Sequence, residues 1–218
     1  LNATCLKNEG QGIENLLSKG NYKAIVANLL QPLGLNYGNL PKGLLKFHRY
    51  DGHSRTPVEE HLKEGDLYAK DSKNEINIHF TVSPEHRPLF EELINKKLPQ
   101  AEKDAEAKYN ISFSEQKPST DTIAADADNN PFRDEKGQLL FRPGGHGALI
   151  ENLNELDADI VFIKNIDNVV PDKFKPTETH YKKLLAGVLI TTQRKIFEYL
   201  KLIDSGKYSH DELIGILH

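Results

Sequence analysis

A chain of 218 residues, 38% hydrophobic and 28% charged, has the make-up of a globular protein. Its net charge of −4 argues against a general nucleic-acid binder, and no apolar run is long enough to span a bilayer. The single cysteine, Cys5, excludes an internal disulfide and a cysteine-built metal site; with no basic-then-apolar leader, it suits a reducing cytoplasm.

The chain starts at Leu1 and contains no Met, which predicts a piece of a longer protein. Residues 1–39 form a helical N-terminal segment. Ile13, Leu16 and Leu17 recur at helical spacing up to Gly20, and Tyr22, Ile25, Val26, Leu29 and Leu30 make a second apolar face that ends at Pro32. Residues 34–56 are rich in loop formers. Within them Lys42 sits between Pro41 and Gly43, on constrained backbone from which an ammonium can reach a phosphate or simply face solvent. His48, His53 and His61 lack the spacing of zinc ligands.

Thr56-Pro57-Val58-Glu59-Glu60 combines a capping hydroxyl, a first-turn proline and acids at the positive helix end, and predicts a helix to about Ala69. Ile76 to Val82 and Tyr109 to Ser114 alternate as strands. The helix between them, from about Pro84 and interrupted at Leu98-Pro99, has the length of a parallel βαβ crossover. Residues 126–137 read as an exposed loop or short hairpin.

Pro143-Gly144-Gly145-His146-Gly147 is a glycine-rich loop ahead of a helix at 148–156, whose free amides would face a ligand. Asp159 to Ile166 reads as an apolar strand interrupted by Lys164, with Asp167-Asn168 at its carboxyl end. There the pair can hold Mg²⁺ or merely form a turn. A long helix spans His180 to about Ser205, and Ser209 to Glu212 open another.

Five elements, in chain order, resemble the UDP-sugar pyrophosphorylases of the nucleotide-diphospho-sugar transferase fold. They are Pro41-Lys42-Gly43, Thr81-Val82-Ser83-Pro84-Glu85, Phe113-Ser114-Glu115-Gln116, Pro143 to Gly147, and Asn165-Ile166-Asp167-Asn168. The whole chain is also similar to an uncharacterised bacterial family of longer proteins. The resemblance covers about Leu40 to Pro171 and implies a three-layer, Rossmann-like α/β core, mostly parallel, over 40–175, with C-terminal helices over 176–218.

The implied activity is transfer of uridylyl from UTP to a sugar 1-phosphate with Mg²⁺. Lys42 and Asp167 would carry the catalysis and Asp167 the metal. Gln116, Gly144, Gly145, His146, Gly147 and Asn168 would bind the nucleotide. The phosphate-cradling glycine loop that opens such proteins has no counterpart before Pro41. That departure keeps a second reading open, a non-catalytic nucleotide- or sugar-phosphate-binding module with a regulatory or interaction role.

Overall fold

Three short helices open the chain: α1 (Asn2–Glu9), α2 (Ile13–Ser18) and α3 (Tyr22–Leu30). They close on Cys5 and Leu16, which are fully buried, and on Asn28. The Asn28 side chain accepts from Asn8 Nδ2 (2.7 Å) and donates to Glu9 Oε1 (2.9 Å), so a buried amide is satisfied at both ends.

After a single 3-10 turn at Lys42–Leu44, β1 (His48–Tyr50) and β2 (His53–Arg55) pair antiparallel. This hairpin corrects the loop expected across 34–56. Thr56 then starts α4 (Pro57–Tyr68). Its hydroxyl accepts from the Glu59 amide, the cap expected from sequence, and the Glu59 carboxylate accepts from the Thr56 amide in return.

The βαβ unit follows as β3 (Glu75–Thr81), α5 (Arg87–Ala105) and β4 (Lys108–Ser114). The strands pair parallel, from Glu75 opposite Lys108 to Thr81 opposite Ser114. α5 runs unbroken through Pro99, where an interruption was expected. Proline removes one amide from the ladder, but Leu98 and Ala101 on either side pack on the core and hold the helix across it.

Alternation divides this sheet into unlike faces. Ile76, Ile78 and Phe80, with Tyr109, Ile111 and Phe113, pack against Val58 and Leu62 of α4 and against Phe90 and Ile94 of α5. The other face carries Asn77, His79, Thr81, Asn110, Ser112 and Ser114. There His79 lies between Ser112 Oγ and Ser114 Oγ, 2.8 Å from each, and burial holds its imidazole below the ordinary pKa.

The chain is therefore mixed α/β, and among the described residues the parallel sheet has two strands rather than the larger number expected. Residues 159–166, expected as a buried strand, join no strand.

Beyond β4, β5 (Thr122–Ile123) and β6 (Phe141–Arg142) pair antiparallel, and bridges at Ala125–Pro131 and Arg133–Leu139 carry the hairpin outward. A 3-10 turn at His146–Leu149 leads into α6 (Ile150–Asn154). The helix expected over 148–156 is thus reduced to five residues, too short for a strong dipole.

The structure, a computed structural model, describes residues 1–217. It divides into two units, residues 1–169 and the part from Val170 onward. The N-terminal helices belong to the first unit with the α/β core. The second unit holds α7 (Lys175–Ser205) and α8 (His210–Leu217), the latter opened by the Ser209 hydroxyl and Glu212 carboxylate bonding across its first turn. Tyr181, Leu184, Leu185, Val188 and Leu189 leave an apolar stripe exposed on α7. His218, where the C-terminal helical pattern ends, lies outside the described residues. No helix is long and apolar enough to cross a membrane among the described residues.

Candidate functional site

Lys42 and Asp167 lie 125 positions apart in sequence, yet Lys42 Nζ is 2.7 Å from Asp167 Oδ2. Packing behind the lysine explains how it is presented. Gly43 is buried, and a side chain there would meet the Phe90 ring at 2.7 Å and Ile166 at 3.0 Å. The turn is thus pressed onto α5 and onto the residue preceding Asp167, while the Lys42 side chain stays 67% exposed. Beside it, Lys42, Thr81, Ser83 and His86 share the lining of a cavity of about 170 Å³ with Phe80, Phe90 and Ile166.

The Lys42 hydrogen bond, then the residue's own backbone amide, and the nearby charge of His146 hold the Asp167 carboxyl below the usual carboxylate range. His146 therefore stands within electrostatic reach of the pair. Asn168 is exposed; its amide donates to the Asn165 carbonyl at 3.0 Å, so Asp167-Asn168 also forms the turn foreseen as the structural alternative.

The second group of expected residues gathers around Gln116. Its Nε2 donates to Thr120 Oγ1 (3.2 Å) and to the Gly144 carbonyl (3.4 Å). A side chain at Gly144 would come within 2.7 Å of the Thr120 carbonyl, so this glycine permits the close approach of two protein loops. Gly145 and Gly147 have open space where a side chain would stand. They are the positions in the loop that another molecule can approach.

Two residues missed in the sequence brace this region. Asn152 of α6 is buried and donates from Nδ2 to Ser114 Oγ and to the Glu115 carbonyl, both at 2.9 Å. It fixes the exit of β4, one residue before Gln116. Lys117 forms ion pairs with Glu155 and with Glu151 (3.9 Å), tying the same exit to α6. An asparagine and a lysine in polar surroundings carry no spacing signal that would have marked either.

The segment reaching Asp167 is held by α4 rather than by a sheet. Phe162 packs on Tyr68 with the rings tilted and their centroids 4.9 Å apart, Lys164 pairs with Glu64, and the Ile166 carbonyl lies 3.0 Å from His61 Nε2. Alternate residues of the segment thus meet one side of the helix. Lys164, out of place in a buried strand, has a buried carboxylate waiting for it. The other two histidines are occupied separately: His48 contacts the buried Glu60 at 3.0 Å, and His53 contacts the Asp51 carbonyl at 3.2 Å.

Among the described residues, no group of three or more His, Cys, Asp or Glu is placed to hold a metal ion by itself. Asp167 stands as a single carboxylate beside Lys42.

A lysine–aspartate pair beside a cavity and a glycine loop held by Gln116 thus stand in a mixed α/β protein with one parallel βαβ unit. Residues 1–218 match the family described as Domain of unknown function (DUF4301), and the chain belongs to that family. No curated protein and no solved structure matches it.

Proposed function

We propose that this chain binds a nucleoside triphosphate, UTP in preference, together with a sugar 1-phosphate, and carries sugar-1-phosphate uridylyltransferase chemistry. The fold implied is the three-layer, mostly parallel sheet of nucleotide-diphospho-sugar transferases. β3–α5–β4 supplies one parallel βαβ unit of it, and α6 reaches the polar face through Asn152. The observation that carries the reading is the meeting of Lys42 and Asp167 at 2.7 Å, from two of the five elements that resemble that family.

In the proposed reaction a phosphate oxygen of the sugar 1-phosphate attacks the α-phosphorus of UTP. The new O–P bond forms as the bond to the β-phosphate breaks, and pyrophosphate leaves with the electron pair. The nucleophile is already an anion, so no general base is required. The protein's work is alignment and neutralisation of charge. Lys42 turns from Asp167 to the triphosphate, an inexpensive exchange for an exposed ion pair. Asp167 would help to hold Mg²⁺, which would screen the phosphates. In this reading Gln116 and the backbone at Gly145 to Gly147 would hold the base, and His146 and Asn168 would contact the nucleotide.

Titration calorimetry with UTP, with and without Mg²⁺, tests the binding step. Magnesium-dependent heat is expected from the unmodified chain and should be lost in Lys42→Ala. Absence of heat from the unmodified chain would remove the uridine assignment. Binding without release of pyrophosphate in the presence of sugar 1-phosphates would select the non-catalytic module instead.

A further inference from the structure

Asp167 is delivered by a segment with no sheet partner among the described residues, and three rungs on α4 fix its position. His61, Glu64 and Tyr68 are spaced three and four residues apart and so share one side of that helix. They meet Ile166, Lys164 and Phe162 in turn. Outer rungs made by a ring contact and a bond to a carbonyl tolerate sliding, because neither is specific for a side chain across the gap. The middle rung does not. Lys164 and Glu64 are 6% and 2% exposed at their side chains, and Tyr68 Oη adds a bond to Glu64 Oε2 at 3.2 Å.

We propose that Glu64 is a positioning residue of the Lys42–Asp167 site: through its buried bond to Lys164 it sets the register of residues 162–166 on α4 and so places Asp167. A slip of one residue would turn Phe162, Lys164 and Ile166 outward and bring Val161, Ile163 and Asn165 in. A slip of two would carry the Lys164 ammonium to the place of Phe162 or Ile166, away from its carboxylate. Either slip moves Asp167 by at least the length of one residue, away from the place beside Ile166 and Gly43 where Lys42 meets it. Buried ion pairs contribute little net stability compared with apolar replacements, and fixing a register is their best-attested use. Two buried glutamates one helical turn apart, Glu60 and Glu64, serve different neighbours: Glu60 holds the hairpin through His48 and Tyr50, and Glu64 holds the segment before Asp167.

The test replaces both partners by apolar residues of similar volume, Glu64→Leu with Lys164→Met. Two readouts follow: the Asp167 carboxyl titration by NMR, and UTP affinity with Mg²⁺ by calorimetry. The effect on ligand rests on the nucleotide reading above; the effect on the Asp167 carboxyl does not. The double variant should melt close to the unmodified chain, its Asp167 carboxyl should titrate nearer the ordinary range, and affinity should fall about tenfold or more, the cost typical of losing an outer support.

A folded double variant with an unchanged Asp167 titration would overturn the proposal. If the unmodified chain gives no heat with UTP, the nucleotide reading fails and the Asp167 titration alone decides on Glu64. Should the double variant not fold, Glu64→Asp decides. It keeps both charges but draws the segment one methylene closer to α4, and the Asp167 titration should shift in the same direction. No shift there would overturn the proposal equally.

Discussion

β3 and the segment 160–166 are both extended, both alternate in burial, and both lie against α4, yet only one is a strand. β3 turns Ile76, Ile78 and Phe80 toward the helices, and β4 satisfies its backbone. The other segment turns Phe162, Lys164 and Ile166 toward α4 and leaves Val161 and Ile163 outward, the latter 72% exposed. Period-two burial therefore reports an extended chain on a surface, not a sheet. What separates the two is how position is specified: by a ladder of backbone bonds in β3, and by side-chain rungs in 162–166. One side-chain ion pair, set between a ring contact and a bond to a backbone carbonyl, concentrates that specification in a single pair.

The sharpest way to break the comparison is Lys164→Met alone. It leaves the Glu64 carboxylate buried without its ammonium partner, and removal of one member of a buried pair costs about 3–5 kcal/mol. Equilibrium unfolding in urea should show that loss, and the Glu64→Leu change added to it should return most of it. A single variant as stable as the unmodified chain would mean that the pair holds nothing in place.

Proline separates the two kinds of extended chain directly. The Val82 amide donates to the Ser114 carbonyl at 2.9 Å, in line with the β3–β4 ladder, and Val82 is buried. Val82→Pro removes that bond and should cost about 2 kcal/mol or more. Ile163→Pro removes an amide from a segment outside any sheet and should cost about 0.5 kcal/mol or less, as for other surface changes. Equal losses at the two positions would show that 160–166 is held by its backbone after all.

Much of the core was legible in sequence. The Thr56–Glu59 cap, the alternation of both strands and the crossover length pointed to α4 and a parallel βαβ unit. The same alternation put Asn77, His79, Ser112 and Ser114 on the face of the sheet away from α4 and α5, where Asn152 of α6 meets Ser114. The β1–β2 hairpin was not expected, although Asp51-Gly52 between two short runs is a signal for one. The role of Lys164 was not legible, because its meaning depends on Glu64, 100 positions away, and Glu64 alone looks like any surface acid on a helix. Lys42 and Asp167 were singled out through family resemblance. No spacing rule connects residues 125 apart, and only the fold shows them together.

The smallest effect expected is at that exposed pair, and it is one of charge rather than stability. The Lys42 ammonium is the first cause of the low Asp167 pKa, ahead of the backbone amide and His146. A carboxyl whose folded pKa is lowered contributes stability above its unfolded pKa and loses it as the pH falls through the lowered value. Lys42→Ala should therefore raise the NMR-detected Asp167 midpoint toward the ordinary range. Part of the depression should remain, because the amide and His146 are untouched. Melting temperatures at neutral pH should barely differ, since both side chains are solvated and screened. In the acid range the two proteins should converge as Asp167 takes up its proton and the pair is lost from the unmodified chain. An Asp167 midpoint that ignores the loss of Lys42 would mean that in solution the two side chains do not meet, and that the segment 162–166 places the carboxylate elsewhere.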